Sequence, residues 1–259
     1  MERAAALVAA AQHGVILSGA GISTPSGIPD FRSPASGLWR RSEPEAVASL
    51  DSFCRNPQAF YTWLRPLLLK IAQASPNPAH QAVARLESQG RVQAVITQNI
   101  DGLHQQAGSR RVLELHGRLR QATCLHCGRH TPTEGLIDAF LATGSVPACP
   151  HCRGLLKPDV VLYGEQLPAD VLQEAEAQAQ ACDLMLVAGS SLSVVPASLL
   201  PRWATSHGAR LIIVNRTPTG LDARADVVLR DDLALVLPAI AQACSSGAAS
   251  HSGGPRASP

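Results

Sequence analysis

An α/β architecture is what this chain predicts: a parallel sheet covered by helices on both faces, with a small cysteine-bearing module inserted. Three observations carry the expectation. Short Val, Ile and Leu runs alternate with helical stretches, the pattern of a parallel sheet buried on both sides. Residues of evident chemical character stand immediately after those runs, where open α/β sheets hold their ligands. Two Cys-x-x-Cys pairs, Cys124 with Cys127 and Cys149 with Cys152, interrupt the alternation. The 259 residues suit one large domain or two modest ones, and 46% hydrophobic against 16% charged residues is the composition of a chain with a core, not of a disordered one.

Along the chain, the Ala-rich stretch at 4–12 imitates a secretory apolar region but runs straight into HGVILSGAG without a clear cleavage region, so it reads as the first helix of a cytoplasmic protein. Strands are expected at 15–18, 92–97, 112–115, 160–163, 183–188, 210–214 and 226–229. Asn56 and Pro57 open a helix whose Phe60, Trp63, Leu64, Leu67, Leu68 and Ile71 recur at three-and-four spacing, with Pro66 expected to kink it. A second helix starts near Asn77 and Pro78 and stops at Gly90. After Ala243 the composition turns to Ser, Gly, Ala and Pro, too poor in apolar groups to order itself, so 245–259 is expected to be a disordered tail.

Charge and composition exclude several classes of function. The net charge is only +2, and four Phe, three Trp and two Tyr are few stacking platforms for single-stranded nucleic acid. No apolar run approaches the roughly 18 residues of a membrane span. Nucleic acid is therefore not expected as the main ligand, nor a membrane as a partner.

Seven cysteines is an odd number, and the two Cys-x-x-Cys pairs are 21 residues apart, close to zinc-ribbon spacing. Four thiolates satisfy a tetrahedral zinc ion and leave no open position, so the site is expected to be structural. Two disulfides instead would need an oxidising compartment that nothing else in the sequence indicates. Cys54, Cys182 and Cys244 read as small buried hydrophobes and not as reactive thiols.

Five clusters follow predicted strands: Gly19-Ala20-Gly21-Ile22-Ser23, Gln98-Asn99-Ile100-Asp101, His116-Gly117, Gly189-Ser190-Ser191 and Asn215. Glycines after a strand let backbone N–H groups approach a pyrophosphate. Here Thr24 replaces the last glycine of the usual pattern, and Arg40, Arg41 and Ser42 stand about 20 residues on, where a dehydrogenase would hold ribose with an acid. Taken singly, the clusters have bland readings: a surface turn at 27–32, a strand-end hydrogen bond for His116, a helix N-cap for Asp101. Together on one rim they indicate a crevice.

GAGIST, SGIPDFRS with GLW, TQNIDGLH, LELHG, the four cysteines, KPDVVLYGE, GSSLSVVP and IIVNRT occur in this order from about residue 14 to 237. In this the chain resembles the sirtuins, the NAD-dependent protein lysine deacylases of bacterial or archaeal type. The resemblance implies a large Rossmann-like NAD-binding domain over 1–30, 76–118 and 158–244. It implies a small lobe made of a helical insertion at 31–75 and a zinc-ribbon module at 119–157. It also implies structural zinc on Cys124, Cys127, Cys149 and Cys152, and NAD as co-substrate, meeting an acetyl-lysine protein or peptide in the cleft between the lobes.

By the same resemblance Gly19, Ala20, Gly21, Ser23 and Thr24 serve the phosphate and ribose region, and Asp30, Phe31 and Arg32 belong to a loop covering NAD. Gln98, Asn99, Ile100 and Asp101 surround the nicotinamide end, with Asn99 and Asp101 counted as catalytic. Gly189, Ser190, Ser191, Asn215 and the backbone around Leu233 hold the adenosine half, and Val161, Tyr163 and Val194 flank the acyl-lysine. The acyl oxygen attacks C1′ of the nicotinamide ribose and nicotinamide leaves; His116, the general base, then leads to deacetylated lysine and O-acetyl-ADP-ribose. Relatives that prefer succinyl or malonyl lysine carry a Tyr and an Arg three residues apart before this motif. Here Tyr61 is followed at that spacing by Leu64, with Arg65 one place late, turned about 100° around the helix. Acetyl is therefore expected over succinyl. Mono-ADP-ribosyl transfer, a non-enzymatic NAD sensor and a zinc dehydrogenase are the alternatives, and a monomer is expected.

Overall fold

The computed structural model describes residues 1–30 and 44–249. In chain order the elements are α1 (Glu2–Ala10), β1 (Gly14–Ser18), α2 (Pro44–Val47), α3 (Leu50–Arg55), α4 (Pro57–Gln73), α5 (Pro78–Ser88) and β2 (Val92–Thr97). There follow α6 (Leu103–Gln106), β3 (Val112–Glu114), β4 (Gly117–Cys124), β5 (His130–Pro132), α7 (Leu136–Thr143) and β6 (Leu156–Val160). The last third holds α8 (Ala169–Ala181), β7 (Leu184–Ala188), α9 (Leu200–Ser206), β8 (Arg210–Val214), β9 (Val227–Leu229) and α10 (Leu233–Ala249).

Six strands form a parallel sheet in the order β3-β2-β1-β7-β8-β9. The apolar runs are continuous because both faces are covered. Ile16, Val95, Leu186 and Ile212 point to the face packed by α1, α5 and α10. Val15, Leu17, Met185 and Ile213 point to the face packed by α8 and α9. Each such side chain contributes on the order of 1.5–3 kcal/mol by leaving water. Ser18 pairs with Thr97 and with Ala188, Thr97 with Glu114, and Ala188 with Val214. The carboxyl ends of five strands are thus level, and the chain leaves all five at one edge.

A second, antiparallel sheet runs β5-β4-β6. It packs beside α4 and α7 through Phe53, Phe60, Tyr61 and Phe140, whose rings lie 5.0–6.1 Å apart. Asn56 caps α4 by accepting from the Ala59 N–H, and Phe60, Tyr61, Leu64, Leu67 and Leu68 form its buried face. Pro66 lies inside α4, which continues to Gln73.

The sequence expectation fails at several places. The segment 160–163 is not a strand of the large sheet. Val160 ends β6 in the small sheet, and the chain then turns away, its Val161 N–H donating to the His116 carbonyl at 2.9 Å. The run VVLY mimics a buried strand because it serves a cleft wall instead. At the other end, α10 continues through Ala249, so 245–249 is helical. Arg85 on α5 and Gln89 just after it both donate to the Ser245 hydroxyl, at 3.0 and 2.6 Å; these bonds stabilise the extra turn where composition offers little. Residues 250–259 lie outside the described ones. Strands β4 and β5, and β6 before Val160, were not expected, and Cys54, expected to be buried, is exposed on α3. Among the described residues no helix is long and apolar enough to cross a membrane.

Candidate active site at the carboxyl edge of the sheet

A cleft of about 500 Å³ opens along the level strand ends, a size usual for small-molecule sites. Gly19, Ala20 and Gly21 after β1, Gln98, Asn99 and Ile100 after β2, and His116 after β3 line it. Gly189, Ser190 and Ser191 after β7 and Asn215 after β8 complete that side. Asp30, Val161, Tyr163 and Val194 also reach the cleft. Phe60, Trp63, Leu64 and Leu67 on α4 add an apolar wall.

Close approach explains the glycines beneath the cleft. The Gly21 N–H donates to the Gly189 carbonyl at 2.9 Å, and a Cβ on Gly21 would lie 2.8 Å from Gly189 Cα. Only a pair of glycines allows the first and fourth crossings of the sheet to touch there.

His116 is held by its Nδ1, which lies 3.0 Å from the Gln98 carbonyl. A carbonyl can only accept, so Nδ1 carries the proton and Nε2 keeps its lone pair. Burial pushes the imidazole below its usual pKa, with the Gln98 hydrogen bond opposing. It is therefore neutral at pH 7 and able to take a proton.

Asp101 sits one layer below the cleft lining. Its Oδ2 accepts from Ser23 at 2.7 Å and its Oδ1 from the Leu103 N–H at 2.9 Å. The Leu103 bond is the helix-start role that the bland reading assigned to it. Burial raises this carboxyl above the ordinary range. Asn99 donates from Nδ2 to the Gly19 carbonyl at 3.2 Å and to Ser23 at 3.1 Å. Its buried Oδ1 has no partner among the described residues, and an orphaned acceptor in a cleft wall invites a ligand or water donor.

Ser23, Asn99 and Asp101 thus form one hydrogen-bonded unit, while Thr24 bonds back to Gly21. Leu233 starts α10 and is buried against the α1 and α5 side of the core. Phe31 and Arg32 lie outside the described residues.

Two histidines that the sequence reasoning passed over support this unit. His80 Nε2 lies 3.4 Å from the Ser23 hydroxyl, and its ring meets His104 edge-on at 5.0 Å. His104 Nε2 lies 2.8 Å from Ser18, which donates to Thr97, which in turn accepts from the Asn99 N–H. Burial pushes His80 down to about 4 and His104 to about 3. His80 was inconspicuous as the third residue of α5, and His104 was visible only as the last letter of TQNIDGLH.

Away from the cleft, Cys124, Cys127, Cys149 and Cys152 bring their sulfurs within 4.8 Å of one another. The Cys124–Cys152 and Cys127–Cys149 sulfur separations are 3.5 and 3.8 Å. Bonded sulfurs would be about 2.05 Å apart, whereas a tetrahedron with zinc–sulfur bonds of about 2.3 Å has edges of about 3.8 Å. The donor set fits zinc.

A family model described as "Sir2 family" matches residues 19–196. The chain is 47% identical over 243 residues to NAD-dependent protein deacylase 2 of Archaeoglobus fulgidus, covering 93% of this chain and 95% of that protein. It is 46% identical over 222 residues to NAD-dependent protein deacetylase 1 of Geobacillus kaustophilus, covering 86% and 89%. A solved structure described as "Sir2-p53 peptide-NAD+" superposes with a TM-score of 0.85 at 39% identity, covering 96% of this chain and 99% of that one. The parallel sheet with its level strand ends, the paired cysteines beside it and these likenesses agree: the chain belongs to the Sir2 family.

Proposed function

We propose that the chain is an NAD-dependent protein lysine deacetylase that consumes NAD and returns deacetylated lysine, nicotinamide and O-acetyl-ADP-ribose. The reading is supported above all by His116, a neutral imidazole with its Nδ1 proton committed to the Gln98 carbonyl and its basic nitrogen available to the cleft. NAD supplies an electrophilic ribose carbon with a good leaving group. Asn99 and Ser23, tied to Asp101, hold the sugar end; the unpartnered Asn99 Oδ1 accepts from a donor there. Ser190, Ser191 and Asn215 take the adenosine half, and the backbone between Gly19 and Gly21 the pyrophosphate.

Val161, Tyr163 and Val194 flank the acyl-lysine in an apolar channel, which accepts a neutral amide and rejects a charged amine. His116 then removes a proton from a ribose hydroxyl so that this oxygen can attack the acyl carbon. The large sheet and its helices (1–30, 76–118, 158–244) form one lobe, the helical insertion (31–75) and cysteine module (119–157) the other. Zinc on the four cysteines holds the module together and takes no part in the chemistry. We further read the chain as a cytoplasmic monomer, since four thiols poised for a metal suit a reducing compartment.

Incubation with NAD and an acetylated peptide should release nicotinamide and deacetylated peptide in equal amounts. Nicotinamide with a labelled acceptor would indicate ADP-ribosyl transfer, and neither product a sensor; both outcomes overturn the proposal. His116→Ala should lower turnover by about 10²-fold or more while NAD binding persists.

A further inference from the structure

KPDVVLYGE contributes Val161 and Tyr163 to the cleft, but its first and last residues, Lys157 and Glu165, have no part in the function above. They meet in the structure. Lys157 is 9% exposed, and its Nζ donates to the Pro158 carbonyl at 3.1 Å, the Val160 carbonyl at 2.9 Å and Glu165 Oε2 at 2.9 Å. An ammonium has three protons, and each finds an oxygen of the segment that follows it. The same Glu165 oxygen accepts from the Leu162 N–H at 2.8 Å. The segment between them is therefore folded back around one buried cation. It is also sewn to its surroundings: Val161 N–H to the His116 carbonyl, Tyr163 N–H to the Ala48 carbonyl, and Leu50 N–H to the Tyr163 carbonyl.

Burying two charges is costly, and well-packed apolar residues often stabilise a fold as well or better. Stability alone is thus a weak reason for an ion pair here. What the pair does that an apolar pair cannot is to aim three directed bonds at backbone atoms of the segment 158–162, setting where Val161 and Tyr163 stand.

We infer that Lys157 and Glu165 are positioning residues for the acyl-lysine side of the cleft, acting through the backbone of 160–165, with Lys157 behind that wall and Glu165 at its edge. The inference rests on the deacetylase reading. Wild-type enzyme tests that reading separately, since it must first convert acetylated peptide at all.

The experiment compares Glu165→Ala, Lys157→Met and the double variant Lys157→Met/Glu165→Leu, measuring Tm, KM for acetylated peptide, kcat, and the Kd of ADP-ribose. Each folded variant should show peptide KM raised about tenfold or more, with ADP-ribose Kd and kcat within about threefold. The double variant recovers Tm but not peptide KM, because apolar packing replaces the pair's stability and not its directed bonds. Lys157→Arg with Glu165 retained should restore much of the peptide KM. Unchanged peptide KM in folded Glu165→Ala, Lys157→Met or the double variant overturns the inference. So does recovery of KM together with Tm in the double variant, or a parallel loss of ADP-ribose binding. Should the single variants fail to fold, the double variant decides alone.

Discussion

Gly117 follows His116 and pairs with Val160 across the join of β4 and β6. Its φ is +76°, and a Cβ built there would lie 1.9 Å from the Asp159 carbonyl oxygen and 3.1 Å from Val160 Cα. Gly117→Ala must therefore meet two costs. Left-handed backbone with a Cβ costs roughly 1–2 kcal/mol. Relieving a contact with rigid backbone, more than an ångström too short, adds about 1–3 kcal/mol. Gly90→Ala isolates the first cost, since Gly90 has φ +71° and nothing within 4 Å of its would-be Cβ.

At about 2–4 °C per kcal/mol for a chain of this size, Gly90→Ala should lower Tm by a few degrees and Gly117→Ala by roughly 4–20 °C. The activity consequence follows from the Val161-to-His116 bond. Pushing β6 away drags or releases the histidine backbone, and misplacement by about 1 Å costs around 10² in rate. Thermal unfolding and steady-state kinetics on both variants give the comparison. If Gly117→Ala melts within a degree or two of Gly90→Ala, or keeps wild-type kcat, the tight crossing does not position His116 and the reasoning fails.

Metal analysis should find about one zinc per chain, and chelation or Cys149→Ser should open 119–157 to protease; a chelated chain as resistant as the untreated one refutes this. Because burial lowers the His116 pKa, kcat should hold down to pH 6.5 and fall only below it; a fall beginning above pH 7 would contradict a depressed imidazole. His80 and His104, pushed down to about 4 and about 3, stay neutral when folded yet protonate near 6.5 when unfolded. Their contribution is thus complete above pH 6.5 and is lost as pH falls toward 4 and then 3, by at most about 1.4 kcal/mol per pH unit each. Asp101, raised by burial, works in the opposite sense at the acid end. Urea unfolding at pH 7, 6, 5 and 4 should show the decline, flattened in His80→Gln. Acetyl peptide should exceed succinyl peptide in kcat/KM, because Arg65 donates to the Leu141 carbonyl on α7 while the buried Leu64 faces the cleft; the reverse preference would require Arg65 to leave that bond.

Much of this protein was legible in one dimension because the relevant physics is local. Runs such as VILS and DLMLVA are apolar throughout since both sheet faces are covered, and that alone marks a parallel sheet. Cysteine spacing names a four-thiolate metal site, because each Cys-x-x-Cys turn presents two sulfurs to one ion. Strand-end clusters marked the rim, since parallel strands must all release the chain at the same edge. What required three dimensions were relations between residues distant in sequence. VVLY looks the same as a buried strand and as a cleft wall, and only the Val161 bond to His116 and the Lys157–Glu165 pair distinguish the two. Ser245 extends α10 because Arg85 on α5 and Gln89 at its end each donate to it, and composition carries no trace of that. His80 and His104 gained their meaning from burial beneath Ser23 and Asn99, an environment produced by packing. Residue types and periodicity are written along the chain, whereas burial, hydrogen-bond direction and the tautomer of His116 exist only once the chain has folded.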